Sequence, residues 1–262
     1  MRKIIKLSKL NVSDRDSVIK LVKKNGYVVL RGLFERSEIS NSLKSIKNNF
    51  NHTQDNSSLA GSPKQIFSNF QKLCIGSSAV SGEKIYRFHR IIYNPVWSDD
   101  IYNLKKIFLK FNKIRNIILG FEENFCIDKP EKNMWSACRI LQYPVGGGHM
   151  SAHKDYILKS VSKINFNNMF YQLILLITEK GTDFFEGGAY ISKDNKLIDI
   201  EKNTLRGDIL IYKTNIVHGV EEIDPSKKLS LDSINGRVVL MNSLYQNYSK
   251  FRPKDKYFKN KI

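Results

Sequence analysis

The sequence predicts an all-β core with a helical flank, which is an α+β fold. From Met134 onward, short apolar runs alternate with Gly, Asn, Asp and Pro, a pattern typical of an all-β sandwich or barrel. Before that point, apolar residues recur at three- and four-residue spacing, most regularly in residues 98–119, where lysines occupy the opposite face. The first half of the chain is therefore expected to supply helices and the second half the sheet.

The flank is expected to contain three main helices and two strands. We predict helices at residues 13–24, 37–50 and 98–119, and strands at 27–33 and 85–93. Residues 51–82 are polar with little periodicity, so a loop is predicted there, interrupted by a short helix at 65–73. A loop of this length is either an active-site lid or a disordered segment, and the sequence leaves both open.

The core is expected to consist of short strands. We predict them near residues 139–144, 150–153, 170–178, 188–192, 208–213, 218–223 and 237–245. No internal repeat is visible in the sequence.

Length and composition favour one globular domain. The chain has 262 residues, of which 41% are hydrophobic and 11% aromatic, enough to bury a substantial core. We expect a single domain over 1–262, with a helical and strand flank and lid region at 1–133, the core at 134–249 and a basic tail at 250–262.

The formal net charge is +18. Lys, Asn and Ile are all abundant, as a codon bias toward AT-rich DNA would produce without any functional demand. Anionic substrates or a nucleic-acid partner are the alternative explanations of the charge.

The cysteines and the amino terminus point to a reducing compartment. Cys74, Cys126 and Cys138 form an odd set without paired spacing, so no disulfide framework is expected. The chain starts without an uninterrupted apolar run or a small-residue cleavage site, and it contains no apolar stretch of about 18 residues. A soluble, cytoplasmic protein is expected.

One segment carries a metal-ligand pattern: Tyr143-Pro-Val-Gly-Gly-Gly-His-Met-Ser-Ala-His153-Lys-Asp155. On extended backbone, side chains two residues apart point the same way, so His153 and Asp155 can reach one metal ion. His218, after the apolar run 208–212, is the best third ligand. Two His and one carboxylate on one face of an octahedral ion leave positions open, as is typical of non-haem Fe(II) oxygenases. His153, Asp155 and His218 are therefore the predicted metal ligands and catalytic centre.

Arg237 opens the apolar run Val-Val-Leu-Met, which predicts a buried strand. A buried guanidinium requires an anionic or polar partner, and its fork can hold a carboxylate through two hydrogen bonds. An arginine on the surface at the strand start is the alternative.

In this order, the residues resemble the Fe(II)/2-oxoglutarate-dependent dioxygenase superfamily. The resemblance runs from Trp135 to Tyr245, and the Tyr143-Pro-x-Gly-Gly-Gly and Glu186-Gly-Gly segments are similar to the prolyl-hydroxylase-like and plant-type branches. It implies a double-stranded β-helix (a cupin-like jelly roll) of eight short strands in two sheets, with the N-terminal helices packed against it. The cofactors implied are Fe(II), 2-oxoglutarate as co-substrate and O2.

The resemblance also implies roles for residues that bind the co-substrate. Arg237 would hold the far carboxylate of 2-oxoglutarate and the Tyr143 hydroxyl would contact it, while the amide of Gln172 in an apolar strand is a further candidate. Two features depart from the usual pattern. Arg237 follows His218 by 237 − 218 = 19 residues, a longer interval than is usual, and Val239 stands where a small hydroxyl residue is expected.

Four residues complete the predicted site as substrate contacts: Arg87, Trp135, Arg139 and His149. His149 shares strand parity with His153, and Arg139 shares it with Tyr143, so both are expected to point inward.

The resemblance implies hydroxylation of an unactivated C–H bond in a small polar metabolite or biosynthetic intermediate, with release of succinate and CO2. The alternatives are a nucleic-acid- or protein-modifying 2-oxoglutarate oxygenase, a metal-dependent cupin isomerase or lyase, and a non-catalytic binding barrel. Ser243 stands where DNA-alkylation-repair dioxygenases carry a second arginine. The expected partner is therefore a small-molecule substrate rather than nucleic acid or a membrane.

Overall fold

The computed structural model describes residues 3–80, 83–132, 134–155 and 171–246. Its helices are α1 (Arg15–Asn25), α2 (Arg36–Asn49), α3 (Pro63–Ile66) and α4 (Lys105–Leu119). Its strands are β1 (Ile4–Lys6), β2 (Tyr27–Arg31), β3 (Phe70–Val80), β4 (Glu83–Tyr93), β5 (Met134–Tyr143), β6 (Gly148–His153), β7 (Tyr171–Leu176), β8 (Gly188–Lys193), β9 (Lys196–Asp199), β10 (Ile209–Lys213), β11 (His218–Ile223) and β12 (Arg237–Gln246).

The strands form one continuous sheet that is folded at β4. Its order is β1-β2-β10-β7-β12-β5-β4-β6-β11-β8-β9, and β3 pairs with β4 outside this path. The end of β4 pairs with β5 through residues 90–93, and its middle pairs with β6 through Arg87 and Phe88. One strand therefore joins a larger half to a smaller half. The predicted jelly-roll core with a helical flank is confirmed.

Alternation along β5 separates the two faces of the larger half. Cys138 and Ile140 point to a core shared with Phe108 and Phe111 of α4. Tyr143, of the opposite parity, belongs to a second core between the two halves of the sheet. The helices thus cover the outside of the larger half, and the inner face is left to carry the polar residues of the site.

The segment predicted as a loop with a helix at 65–73 is different in the structure. Its helical parts are a 3-10 turn at His52–Gln54 and the short α3, where Ser62 and Gln65 form a reciprocal capping box. β3 then pairs with β4 along the full length of both strands. The polar composition of this segment gave no strand signal. β3 is a strand because β4 pairs with its backbone groups, and local propensity does not reveal that pairing.

Two smaller differences have local causes. α4 begins at Lys105 rather than at residue 98, because Asn103 has a positive φ and the Asp100 carboxylate accepts hydrogen bonds from the Leu104 and Lys105 amides. The strand β9 was not predicted. It forms a hairpin with β8 through Asp194 and Asn195, both with positive φ, as a tight turn of matching twist requires.

The three cysteines, Cys74, Cys126 and Cys138, are free and buried. No helix in the described part of the chain has the length and apolar character to cross a membrane. Phe170, predicted to open a strand, and the tail 250–262 lie outside the described residues.

Candidate metal centre and its surroundings

The structure brings His153, Asp155 and His218 together. His153 ends β6 and His218 begins β11, and the two residues face each other in the antiparallel pairing of these strands. One potential ligand atom from each residue lies within 4.8 Å of the other two. The Asp155 carboxylate is 3.6 Å from Nε2 of His153 through one oxygen and 3.6 Å from Nε2 of His218 through the other. This is the spacing that three ligands of one metal ion need.

The same kind of hydrogen bond, from Nδ1 to the backbone carbonyl two residues earlier, orients both imidazoles for metal binding. Nδ1 of His153 donates to the carbonyl of Ser151 at 2.9 Å, and Nδ1 of His218 donates to the carbonyl of Ile216 at 2.9 Å. A carbonyl only accepts, so each Nδ1 donates a hydrogen to it, and each Nε2 faces the Asp155 carboxylate. Such support fixes the tautomer and the ring orientation of metal-bound histidines. The residues present therefore fit a divalent metal ion.

The Asp155 carboxylate is kept anionic. Burial alone would raise its pKa, but the electrostatic interactions with His218, His153 and Arg139 outweigh burial and lower it. Its backbone amide donates to the carbonyl of Thr214 at 2.9 Å, which anchors the carboxylate beside β11. A metal ion would meet a charged oxygen ligand without a proton having to leave.

Arg237 is buried as predicted, and its anionic partner within the described chain is Glu201. Nε and Nη2 of Arg237 donate to the Glu201 carboxylate at 2.7–3.0 Å, and each side chain is 2% exposed. The Ala189 amide also donates to Glu201 at 3.0 Å. Nη1 of Arg237 makes no hydrogen bond within the described residues. One edge of the guanidinium is therefore used by the protein and the other is free.

Tyr143 lies on the inner face between a cation and an imidazole. Its ring is 5.1 Å from the Arg237 guanidinium carbon and 5.3 Å from the His89 ring. Burial raises the pKa of Tyr143, so its hydroxyl stays protonated and can donate. Tyr212 lies beside the metal centre, with its ring 4.9 Å from that of His218.

Three other predicted site residues, Gln172, Trp135 and His149, lie in three different surroundings. Gln172 pairs with Tyr212 across β7 and β10, and its amide donates to the Ser243 hydroxyl at 3.4 Å. Trp135 is fully buried in an aromatic cluster, where it serves packing and offers no open surface to a substrate. His149 donates from Nδ1 to the carbonyl of Gly147 at 2.8 Å.

The parity argument for His149 was wrong. β6 pairs with β4 through Arg87 opposite Met150, and Met150 places its sulfur 4.0 Å from the Tyr143 hydroxyl. Met150 therefore shares the inner face with Arg87 and Tyr143. Parity fails because the β6–β11 pairing shifts register twice, so residues 149 and 153 are not related by a regular two-residue repeat.

Arg139 and Arg87 do face the interior. Arg139 pairs with Tyr93 of β4, so its side chain shares a face with residues 93, 91, 89 and 87 of that strand. Nη1 and Nη2 of Arg139 donate to the hydroxyls of Tyr245 and Ser243 at 2.8 Å each. Arg139 is also near enough to Asp155 to influence its pKa. It therefore lies beside the metal centre.

Sequence reasoning missed two residues of this region. Glu201 follows β9 and reaches Arg237 across 36 positions, a distance at which no local spacing signals a pair. His89 is 1% exposed and neighbours Tyr143. Strand alternation with Ile91 and Tyr93 was the available signal for His89.

No protein-family model and no curated protein sequence matches this chain. Among solved structures, a prolyl hydroxylase from Trichoplax adhaerens, in complex with a hypoxia inducible factor oxygen degradation domain peptide fragment, superposes with a TM-score of 0.53 at 11% identity, covering 92% of this chain and 94% of that chain. A prolyl-4-hydroxylase from Pseudomonas putida superposes with a TM-score of 0.51 at 12% identity, covering 88% and 97%.

At this level of identity the similarity shows the fold. The sequence resemblance and the superpositions point to the same fold, and the structure adds that the side chains of His153, Asp155 and His218 meet at one point. This chain therefore has the prolyl-hydroxylase fold, with a His153–Asp155–His218 group that could hold a metal ion.

Proposed function

We propose that the protein is an Fe(II)/2-oxoglutarate-dependent oxygenase that hydroxylates an unactivated C–H bond of a small polar metabolite or biosynthetic intermediate. The observation that carries the proposal is the His153–Asp155–His218 centre, in which both Nδ1 atoms are occupied and both Nε2 atoms face one carboxylate. Two imidazoles and one carboxylate are the ligand set of non-haem Fe(II) oxygenases.

The three ligands would hold the iron on one face and leave its other positions to the co-substrate and O2. Bound Fe(II) supplies the oxidation chemistry, in which 2-oxoglutarate, O2 and the substrate C–H group become succinate, CO2 and an alcohol. The chain contributes ligation, orientation and exclusion of water. Asp155 keeps its charge, and the two backbone carbonyls hold the imidazoles in place throughout.

Arg237 and Tyr143 are proposed to hold the far carboxylate of 2-oxoglutarate. The free Nη1 of Arg237 and the protonated Tyr143 hydroxyl are the donors, and Glu201 fixes the guanidinium from its other edge. Gln172, on the same inner face of β7, which neighbours the strand β12 that carries Arg237, is the third proposed contact.

A second candidate is a metal-dependent isomerase or lyase on the same fold. The Arg237–Glu201 pair favours it, because an arginine that already has a carboxylate partner can be structural. Such an enzyme would keep the metal centre and would not consume 2-oxoglutarate.

Succinate formation separates the two candidates. Purified protein loaded with Fe(II) under nitrogen and then given 2-oxoglutarate and air should form succinate slowly without a substrate, and faster with the correct metabolite from a library. His218→Ala should reduce succinate to background because the centre loses a ligand. His52→Ala, which removes an exposed histidine, should match the wild type. Equal succinate from His218→Ala and the wild type would exclude this centre, and metabolite turnover without succinate would favour the isomerase or lyase.

A further inference from the structure

Six of the nine described arginines have a carboxylate partner. The ion pairs are Arg15–Asp16, Arg31–Asp208, Arg36–Glu179, Arg90–Asp55, Arg206–Asp183 and Arg237–Glu201. Arg115 has none, but its N–H groups donate to Ser136, to Asn116 and to the carbonyl of Asn242, and burial lowers its pKa to about 10. Arg87 and Arg139 are the two that remain without a carboxylate among the described residues.

These two arginines also carry buried nitrogen atoms without a partner. Nε of Arg139 is buried and makes no hydrogen bond to any described residue, and the two hydroxyls that Arg139 contacts are neutral. Arg87 makes no side-chain hydrogen bond to any described residue, and its Nε is buried. An unpaired cation costs free energy to the extent that it is withdrawn from water, and this cost falls more on the buried Arg139 than on the part-buried Arg87.

A third unpartnered nitrogen belongs to His89, between the two arginines on the same inner face. Its Nδ1 is buried without a hydrogen bond, and the residue is 1% exposed. Burial, followed by the charges of Arg87, Lys72, Arg139 and His149, lowers its pKa to about 3, so the ring is neutral at pH 7. A neutral imidazole can donate one N–H without adding charge.

The rest of the sequence offers little to neutralise this cluster. Outside the residues whose side chains the structure describes, the acids are Glu83 and Asp255, and residues 156–170 contain neither Asp nor Glu. The one carboxylate known to act on Arg139 is that of Asp155, which belongs to the metal centre. The missing negative charge must therefore come from elsewhere.

We propose that Arg87, His89 and Arg139 form an oxyanion subsite that binds a carboxylate or phosphate group of the substrate beside the metal centre. This inference rests on the proposed function, since it names the chemical class of the molecule that is oxidised. Two guanidinium groups supply the charge and the fork, and His89 supplies a neutral donor. The hydroxyls of Ser243 and Tyr245 hold the Arg139 guanidinium in place from its other edge.

Intrinsic fluorescence can report on this subsite without turnover. The chain has two tryptophans, Trp97 and Trp135, whose rings are 5.8 Å apart. The Trp135 ring is 5.4 Å from that of Tyr245, whose hydroxyl accepts from Arg139. An anion that binds the Arg139 guanidinium should therefore change the tryptophan fluorescence.

The probes are acetate and inorganic phosphate, titrated against the full chain with a chelator present so that no anion binds through a metal. We expect a saturable change with one or both anions and none with acetamide, the neutral counterpart of acetate. Arg87→Gln and Arg139→Gln should each raise the dissociation constant at least tenfold. Lys84→Gln removes an exposed charge from the same strand and should leave it unchanged. The stronger of the two anions identifies the group that the substrate carries.

Three results would overturn the subsite: equal responses to acetate and acetamide, wild-type affinity in both arginine variants, or equal weakening by Lys84→Gln. A fourth is binding of 2-oxoglutarate that Arg139→Gln weakens and Arg237→Lys does not, because the cluster would then hold the co-substrate. The titration needs neither iron nor succinate. Anion binding that persists while the wild type forms no succinate would therefore refute the oxygenase proposal and leave the subsite standing.

Discussion

The arginines on the inner face differ in their partners. Arg237 is bound on one edge by Glu201, which also accepts from the Ala189 amide, so the charges of this pair cancel while Nη1 of Arg237 makes no hydrogen bond to a described residue. The buried Arg139 and the part-buried Arg87 have no described carboxylate, and the Nε of each is buried without a described partner. Burial alone therefore does not show that an arginine binds a ligand. The partners of each guanidinium separate an arginine whose charge the fold already neutralises from one whose charge has no described counterpart.

The largest expected effect comes from breaking the satisfied pair. Glu201→Gln leaves the Arg237 guanidinium buried with no charged partner, which should reduce the free energy of unfolding by about 3–5 kcal/mol. Urea denaturation followed by circular dichroism measures the loss, and Glu221→Gln, at an exposed position, is the control. A loss no greater than that of the control would show that the pair does not stabilise the fold.

His89 gives a pH effect of intermediate size. Its folded pKa of about 3 lies below the ordinary value of 6.5, so as the pH falls the unfolded chain takes up the proton first and the folded state loses stability. Between pH 6.5 and 5 this loss amounts to about 2 kcal/mol, and His89→Phe should remove it while keeping the ring beside Tyr143.

The measurement compares the free energies of unfolding of wild type and His89→Phe at pH 7 and pH 5, with His52→Gln as the exposed control. The groups that depress the pKa, namely Arg87, Lys72, Arg139 and His149, are present in both proteins. The same pH dependence in both would mean that His89 is not buried as a neutral ring.

A smaller effect is expected for co-substrate affinity. Arg237→Lys keeps the positive charge but loses the fork, including the free Nη1, so the affinity for 2-oxoglutarate should fall about tenfold, or ~1.4 kcal/mol. An anaerobic titration of 2-oxoglutarate at fixed Fe(II) measures it. Superimposed curves for Arg237→Lys and the wild type would assign the carboxylate to another cation, such as Arg139 or Arg206. Of these, Arg206 is already paired with Asp183.

The smallest effect on stability should come from replacing Arg87. Arg87→Gln removes a part-buried charge that has no described partner, so the free energy of unfolding should change by less than about 1 kcal/mol, in either direction. The same urea experiment tests this beside Glu201→Gln. A loss as large as that of Glu201→Gln would reveal a carboxylate partner for Arg87 and remove the contrast between the two groups.

The sequence was sufficient for the parts of the site that depend on short spacing. His153 and Asp155 are two residues apart, at the end of β6 and just beyond it, and the apolar run after Arg237 correctly indicated its burial. The core strands were predictable for the same reason, because turn residues separate apolar runs of similar length.

Features that depend on distant pairing were not predictable. Glu201 reaches Arg237 from a loop after β9, and β3 is a strand because β4 lies alongside it. The orientation of His149 depends on the irregular pairing of β6 with β11, which no two-residue repeat encodes. In each case the deciding contact joins residues far apart in the chain, where local propensity carries no information.

We propose that His153, Asp155 and His218 hold Fe(II) together with 2-oxoglutarate. The direct test is the visible charge-transfer absorption on adding 2-oxoglutarate to the Fe(II)-loaded protein under nitrogen. We expect a weak, saturable band in the wild type and in His52→Ala, and no band in His218→Ala, which lacks one of the three ligands. A His218→Ala protein that remains folded and shows the full band would contradict the assignment of this centre.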